Sequence, residues 1–434
     1  MAAISRLNIK ANANMADPEL SDRRSARDTA EQRQYDAVCS MKKITPVLAM
    51  AMAMSASLAS AESVMKPFND KGYGTVSGRV QFLGMYRDYD NGNNGHASTL
   101  GLVLGYITPK WSGFDAGLTY NHAGTLDDGG NTSLPANDDI DVLNEGWLRF
   151  SPATLAKTSF LVGRKISNGE VFRADDYRQK SRSIQAIQIE TRDIPNLALT
   201  VGHAYKLSNW LDSGTRWKFN DFGTVFGVGY DTDGVTWGEG LYTGIGKTEV
   251  AVFDAYAWDV ANLLGARVKY SVSDATAFMG YYRHEADVGK AASQSSDAYG
   301  ISLEQKVGGV TIEPGYFGVR GDDLRFQETT TGINHPLGAS MMIYPSTFAG
   351  GADTAYIKVT TKINQTTLYA LYNYTWQDNP KYNYDGQELN LVVKQPLLEN
   401  LSVAVKVGIG SREAKNGGTD TSATDARLFL TYAF

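Results

Sequence analysis

The sequence predicts an all-β protein, a transmembrane antiparallel β-barrel of about 18 strands with short periplasmic turns and long outer loops. Three observations predict this fold. An N-terminal segment has the pattern of a secretory signal peptide, apolar and polar residues alternate along most of the chain after it, and the last strand ends in an aromatic residue. After residue 61 no apolar run approaches the roughly 20 residues that a membrane helix needs. A barrel instead places its apolar residues at every second position of each strand.

The N-terminal segment 41–61 is typical of a secretory signal peptide. Lys42 and Lys43 form a short basic region, and an apolar stretch follows that ends in the small residues Ala-Ser-Ala at 59–61. This pattern predicts cleavage before Glu62 and export from the cytoplasm.

Residues 1–40 are polar and charged and precede this signal, so we interpret them as an over-extended start or a disordered leader. An unusually long basic region of the signal is the alternative. The single cysteine, Cys39, lies in this part of the chain. The barrel segment 62–434 therefore has no thiol for a disulfide or a thiolate site.

Strict period-2 alternation is clearest at 401–409, where Leu401, Val403, Val405, Val407 and Ile409 share one face. We predict strands at 183–193, 399–410 and 425–434, among others. The linkers between the predicted strands alternate strictly in length, and Asn364-Gln365 and 320–352 mark the two extremes. A soluble β-sandwich could show the same alternation, but this spacing favours a barrel with both termini in the periplasm.

Aromatic residues and the C-terminus also favour a barrel. Rings at strand ends suit the headgroup zones of a membrane; they include Tyr86, Trp111, Phe114, Tyr205 and Trp376. In the last strand, Leu428, Leu430, Tyr432 and Phe434 share one face. A final strand of this kind is typical of the signal that barrel assembly machinery reads.

No pattern in the sequence indicates an enzyme. The five histidines are scattered, and neither a metal-ligand spacing nor a phosphate-binding or nucleophile motif is present. We therefore expect no catalytic residues, no cofactor and no metal. The formal net charge of −6 is too mild to indicate nucleic acid as a partner. A closed sheet of about 18 strands is too wide for side chains to fill, so we expect a water-filled lumen.

Basic residues recur at positions that alternate away from the apolar face of the strands. In lipid each would cost about 2–4 kcal/mol at the midplane, so we expect them to line the lumen as a track for anions. They are Arg79, Arg149, Arg164, Arg192, Arg267, Lys269, Lys306, Lys358, Lys362, Lys394, Lys406 and Arg427. The alternative is general solvation of the lumen, or pairing with lumen carboxylates such as Glu145, Glu190 and Glu304.

The connection 167–182 is dense in charges of both signs. If it folds inward as a constriction loop, its carboxylates would oppose its cations across a narrow gap and create a transverse field. The carboxylates are Glu170, Asp175 and Asp176, and the cations are Arg173, Arg178, Lys180 and Arg182. An exposed loop is the alternative.

Several motifs around this connection resemble the OprD-type family of outer-membrane porins. They are Asn-Glu-Gly-Trp-Leu-Arg at 144–149, Leu-Val-Gly-Arg at 161–164 and Tyr-Arg-Gln at 177–179. Thr331-Gly332 and Pro336-Leu337-Gly338 are a weaker echo. The resemblance implies a substrate-selective 18-stranded channel, monomeric or loosely trimeric, with a second inward loop at 320–352. It also implies a ladder of lumen Arg and Lys that guides carboxylate-bearing solutes, and Arg164 and Arg178 match best.

These observations predict a porin in the outer membrane of a Gram-negative-type bacterium. We expect passive diffusion of small polar solutes, with a preference for anionic or carboxylate-bearing ones. Two alternatives stay open: a non-selective general porin, and a structural or adhesive surface barrel with a plugged lumen. The expected partners are outer-membrane lipid, small polar or anionic solutes, and the barrel assembly machinery.

Overall fold

A computed structural model describes the chain at residues 72–90, 92, 94–129, 139–174, 178–209, 215–291, 293–330, 346–382 and 384–434. The predicted leader 1–40 and signal peptide 41–61 lie outside these residues, and their assignment stays a prediction. Within the described part of the chain, no helix has both the length and the apolar character needed to cross a membrane.

Eighteen strands close into one antiparallel barrel, which confirms the predicted fold class. A further two-residue strand, β8, pairs with the end of β7 inside the connection between β7 and β9. The strands are β1 (Thr75–Tyr89), β2 (Gly95–Ile107), β3 (Phe114–Asp128), β4 (Ile140–Phe150), β5 (Thr158–Lys165), β6 (Ser183–Thr191), β7 (Leu197–Ser208), β8 (Asn220–Asp221), β9 (Val235–Ile245), β10 (Thr248–Ala257), β11 (Ala261–Ser271), β12 (Thr276–Asp287), β13 (Ser295–Val307), β14 (Val310–Gly321), β15 (Ala352–Ile363), β16 (Thr366–Gln377), β17 (Tyr384–Pro396), β18 (Leu401–Ala414) and β19 (Thr421–Ala433). Short helices occur at Phe222–Phe226, Gln327–Thr330 and Ser346–Phe348.

The barrel closes where the first strand meets the last. β1 pairs with β2 on one side and with β19 on the other, in a register that sets Gln81 opposite Thr431. Phe434 extends this seam, because its backbone N–H and C=O both bond to Gly78, at 2.9 and 2.8 Å. The barrel strands therefore leave no free edge, as a sheet in hydrocarbon requires.

The two faces of each strand differ as the alternation predicts. In β18, Val405 and Ile409 are 40% and 52% exposed on the outer face, whereas Lys406 points inward and is 7% exposed. Most of the other strands also expose large apolar side chains outward. An apolar outer surface this extensive belongs in lipid.

The predicted strict alternation of linker length is wrong at two outer connections: 90–94, which is shorter than the periplasmic turn 108–113, and the connection after β10. β10 and β11 are joined at the outer end by 258–260 alone, as short as the periplasmic turns. Asp259 adopts a positive φ of 60°, and the Val260 N–H bonds back to the Ala257 carbonyl at 3.0 Å. That tight turn removes the need for a longer loop.

Part of the lumen is filled by a hydrophobic core rather than by water. Inward-facing side chains of β10 to β14, among them Phe253, Leu263 and Phe317, pack with side chains of three outer connections. The connections contribute Val171 and Phe172, then Phe222, and then Leu324, Phe326 and Phe348. We call this cluster the lumen core. Because these connections share its apolar contacts, they fold into the barrel mouth rather than away from it.

Candidate functional site

The connection between β5 and β6 crosses the interior of the barrel and contacts β1 and β2 at its tip. The Gln179 Nε2 donates to the Thr99 hydroxyl at 2.7 Å, and Gln81 Nε2 donates to the Arg178 carbonyl at 2.7 Å. Arg79 Nη2 donates to the Gln179 carbonyl at 3.1 Å. We call the described parts of this connection, 166–174 and 178–182, the first inward segment.

The other end of the first inward segment is held by β9 and β11. Glu239 Oε2 accepts the backbone N–H groups of Glu170 and Val171, at 2.7 and 3.2 Å. The Glu170 carboxylate in turn pairs with Arg267 at 2.8 Å. β1 and β2 lie on one side of the β5–β6 pair around the barrel, and β9 and β11 lie on the other. The segment is therefore fixed at two places on well-separated parts of the wall.

The connection between β14 and β15 enters the same space, and we call its described parts, 322–330 and 346–351, the second inward segment. Glu285 on β12 accepts the backbone N–H of Phe326 at 3.2 Å and pairs with Arg283 at 3.0 Å. The Thr329 carbonyl accepts the backbone N–H of Arg173 at 3.0 Å and Arg182 Nη1 at 2.9 Å. The two inward segments are therefore bonded directly to each other.

Two of the predicted constriction-loop cations do not face an aqueous gap. Lys180 and Arg182 are 0% and 1% exposed. Lys180 Nζ donates to the Asn209 carbonyl at 2.6 Å, and Arg182 Nη1 donates to the Arg173 and Thr329 carbonyls. The expectation that these two cations oppose carboxylates across a gap is wrong, because both side chains bond to backbone carbonyls inside packed structure.

The remaining loop residues fall in different places. Arg178 is 5% exposed beside β1, and Arg173 lines a cavity further along the first inward segment. Asp175, Asp176 and Tyr177 lie outside the described residues, as do the motif residues at 331–338.

Arg164 and Arg192 differ from the predicted arrangement. Arg164 lies with its guanidinium 4.2 Å from the ring of Phe219 and donates to the Leu143 carbonyl at 3.3 Å, so it contacts β4 and the β7–β9 connection. Arg192 is exposed in the turn after β6, which ends at Thr191 and not at 193. The expectation that Arg192 lines the strand wall is therefore wrong.

One part of the inner wall is strongly basic. We call the inward faces of β18, β19 and β1 the ladder wall. Its only carboxylate among the described residues is Asp425, which is fully buried and accepts from Arg87 Nε at 2.8 Å and Arg427 Nε at 2.7 Å. Its cations are Arg79, Arg87, Lys406, Arg412 and Arg427.

The inward faces of β10 to β15, which we call the paired wall, combine both signs of charge. Predicted lumen cations there lie beside carboxylates: Arg267 with Glu170 at 2.8 Å, Lys269 with Glu304 at 3.6 Å, and Lys358 with Glu313 at 3.4 Å. These groups and Arg173 line a cavity of about 410 Å³. Elsewhere, on β4, Arg149 Nε donates to Asp115 on β3 at 3.0 Å.

Sequence reasoning that searched for cations missed the residues that hold the inward segments. Gln81, Glu239 and Glu285 alternate inward like the basic residues, and that pattern alone could have placed them in the lumen. Their partners are not visible in the sequence, because the partners lie on distant strands or connections. Within the described residues, no group of three or more His, Cys, Asp or Glu side chains could hold a metal ion.

A family model described as outer membrane porin, OprD family, matches residues 123–356. The chain belongs to the OprD family of outer-membrane porins. The matched range contains the motifs at 144–149, 161–164 and 177–179, so the resemblance noted in the sequence is confirmed. OprD-family porins are outer-membrane channels of Gram-negative bacteria and not enzymes, which confirms the predicted location and the expected lack of enzyme activity.

Solved porin structures share the fold. A BenF-like porin from Pseudomonas fluorescens Pf-5 superposes with a TM-score of 0.69 at 16% identity, over 83% of this chain and 98% of that one. OccAB4 of Acinetobacter baumannii gives 0.66 at 16% identity, with the same coverage. OpdK of Pseudomonas aeruginosa, solved with vanillate, gives 0.66 at 14% identity and the same coverage. No curated protein sequence matches the chain significantly. At these identities the solved structures establish the OprD fold alone.

Proposed function

We propose that this OprD-family porin lets small polar solutes diffuse passively across the outer membrane and favours anionic or carboxylate-bearing ones. The supporting observation is the ladder wall, where the inward faces of three adjacent strands carry five cations and, among the described residues, the single carboxylate Asp425. Guanidinium groups bind carboxylates bidentately, so a row of them offers successive contacts to a passing anion.

The contrast with the paired wall supports a preference for anions. On the paired wall Arg267, Lys269 and Lys358 have carboxylates nearby, so much of their charge is compensated locally. The excess positive charge therefore lies on the ladder wall. Confinement between low-dielectric walls focuses the field of such charges and raises the local concentration of anions.

One similar structure agrees with this solute class. OpdK was solved with vanillate, which is a carboxylate. By analogy, we propose carboxylate-bearing molecules as solutes for this porin, without naming a particular one.

Reversal potentials in a salt gradient across a planar bilayer test the proposal. The wild-type barrel is expected to prefer anions, and the Arg79→Gln, Lys406→Gln double variant should shift the reversal potential towards cations. The control neutralises an ion pair on the other wall: Lys358→Gln with Glu313→Gln leaves the net charge unchanged and should leave the reversal potential in place.

Two other outcomes would favour the alternative functions. A folded ladder variant with wild-type selectivity would overturn the anion track and favour a general porin. A properly assembled wild-type barrel with no conductance would favour the plugged structural barrel.

A further inference from the structure

We infer that Gln179 is the positioning residue that sets the width of the pore, because it fixes the tip of the first inward segment between β1 and β2. Its partners are Gln81 on β1, and Thr99 and Gly101 on β2. We call these four residues the tip clasp. The inference rests on the proposed function, since it concerns the conducting path of the same lumen.

The side chains of the tip clasp are buried and bonded to one another. Gln179, Gln81 and Thr99 are 3%, 6% and 4% exposed. The Gln179 amide donates to the Thr99 hydroxyl at 2.7 Å and accepts from Gln81 Nε2 at 3.3 Å. Gln81 Nε2 also donates to the Arg178 carbonyl at 2.7 Å. A buried amide that loses its partners pays a desolvation penalty, so this bonded position is strongly preferred for the tip.

Gly101 provides the space that the Gln179 amide occupies. A Cβ atom at this position would lie 2.2 Å from Gln179 Oε1 and 2.9 Å from its Cδ. Any side chain at 101 must therefore displace the amide from its bonded position. This contact gives a way to remove the amide from the clasp without altering Gln179.

The tip clasp also joins the first inward segment to the ladder wall. The Thr431 hydroxyl on β19 donates to Gln81 Oε1 at 3.2 Å, so the residue that holds the tip is itself bonded to the next ladder strand. Arg178, whose carbonyl Gln81 binds, is thereby placed beside Arg79 and the rest of the ladder.

Release of the tip would have a defined mechanical effect. On one side of the tip, Glu170 and Val171 stay bonded to Glu239. On the other side, Lys180 and Arg182 stay bonded to Asn209 and Thr329, so release would let only the short stretch around Arg178 and Gln179 move away from the wall. The free part would leave β1 and β2 and open the path along the ladder wall. Wider conduction and a weaker anion preference should therefore appear together, since Arg178 moves with the tip.

Single-channel conductance of three variants tests the inference: Gln179→Ala, Gly101→Ala and the double variant. Each single change should raise the conductance on the order of twofold, because conduction follows the open cross-section of the constriction. The double variant should match the singles, because an alanine at 101 has no amide to displace once Gln179 is truncated. Gly280→Ala is the matched control, since a Cβ there meets nothing within 4 Å.

Heat-modifiable mobility on gels would first establish that each variant barrel is assembled. Assembled single variants with unchanged or reduced conductance would overturn the inference, as would additive effects in the double variant. If the wild type conducts and the variants have the same conductance, the inference about Gln179 is contradicted but the proposed function is not. A wild type without conductance contradicts the proposed function as well.

Discussion

The ladder wall and the paired wall are built from the same strand pattern but treat charge in opposite ways. On the paired wall, Arg267 and Lys358 lie within 4 Å of Glu170 and Glu313. On the ladder wall, one buried carboxylate, Asp425, serves two arginines, while Lys406 lies 4.8 Å from the ring of Phe429. The alternation of a barrel strand therefore places a charge in the lumen without determining whether that charge is compensated.

The difference shows that the cations of the lumen do not all have the same role. A cation beside a carboxylate mainly holds wall and inward segments together, as Arg267 holds Glu170. A cation in excess on its wall contributes to the field that a solute meets.

The largest effect is expected from loss of the seam that closes the ladder wall. Deletion of Phe434 removes both of its backbone hydrogen bonds to Gly78 and the ring that packs on that glycine. We propose that assembly machinery reads the aligned Leu428, Leu430, Tyr432 and Phe434, so the deletion should lower outer-membrane levels far more than synthesis. Immunoblots of membrane and total fractions measure this ratio.

Gly78→Ala provides an independent check, because its Cβ would lie 2.5 Å from the Phe434 ring and should reproduce part of the defect. Wild-type amounts of the truncated protein in the outer membrane would contradict the seam prediction.

A smaller effect, on both stability and ion selectivity, is expected from Asp425→Asn on the ladder wall. The change leaves Arg87 and Arg427 charged and buried without a carboxylate between them. Removal of one partner from a buried charged cluster costs about 3–5 kcal/mol, so the unfolding midpoint in urea should fall. The surviving barrels should prefer anions more strongly than wild type in a salt gradient. Unaltered stability together with unaltered selectivity would show that Asp425 does not compensate the ladder.

A structural feature of this barrel can be predicted from the sequence when the residues that form it are close together in the chain. Period-2 patterning located every barrel strand, and for β18 the predicted range 399–410 overlaps most of Leu401–Ala414. That pattern is local, because neighbouring side chains on a strand face opposite sides. The inward course of 167–182 was also suggested by its density of charge and by the family motifs.

The pairing within the lumen was beyond prediction because it is set by closure of the barrel. Arg267 meets Glu170 across 97 residues of sequence, and Gln81 meets Arg178 also across 97. Lys180 and Arg182 were expected to oppose carboxylates across a gap, but they are buried and bonded to backbone carbonyls of neighbouring connections. No local pattern distinguishes a charged residue that faces water from one that bonds to backbone carbonyls.

The smallest effect expected is the pH dependence of the stability that Asp323 contributes at the outer end of the paired wall. Burial alone raises the pKa of Asp323, but hydrogen bonds from Lys381, Tyr382 and the Gly350 N–H outweigh it and hold that pKa below its usual range. A depressed carboxyl pKa stabilises the folded state above the unfolded pKa of about 3.9, and the contribution is lost as the pH falls through the folded value.

The stability difference between wild type and Asp323→Asn should therefore stay constant from pH 7 down to the unfolded pKa of about 3.9, and should shrink only as the pH falls below it through the lower folded pKa. At neutral pH the difference should stay below about 1 kcal/mol, because both partners are partly exposed. Thermal unfolding in detergent micelles at several pH values measures it. A difference that already declines well above the unfolded pKa of about 3.9 would rule out the Asp323 contact as its source.

Part of the surface that the two inward segments cover inside the barrel is apolar. Phe253, Leu263, Phe317 and Val319 project from the paired wall into the lumen core and are fully or almost fully buried. Deletion of both segments would therefore not produce a wide aqueous tube. It would expose a crescent of hydrocarbon that water wets poorly, and hydrophobic constrictions of this kind close channels by dewetting. A wider pore built on this barrel requires polar replacements along β10, β11 and β14 in addition to the deletion of its obstruction.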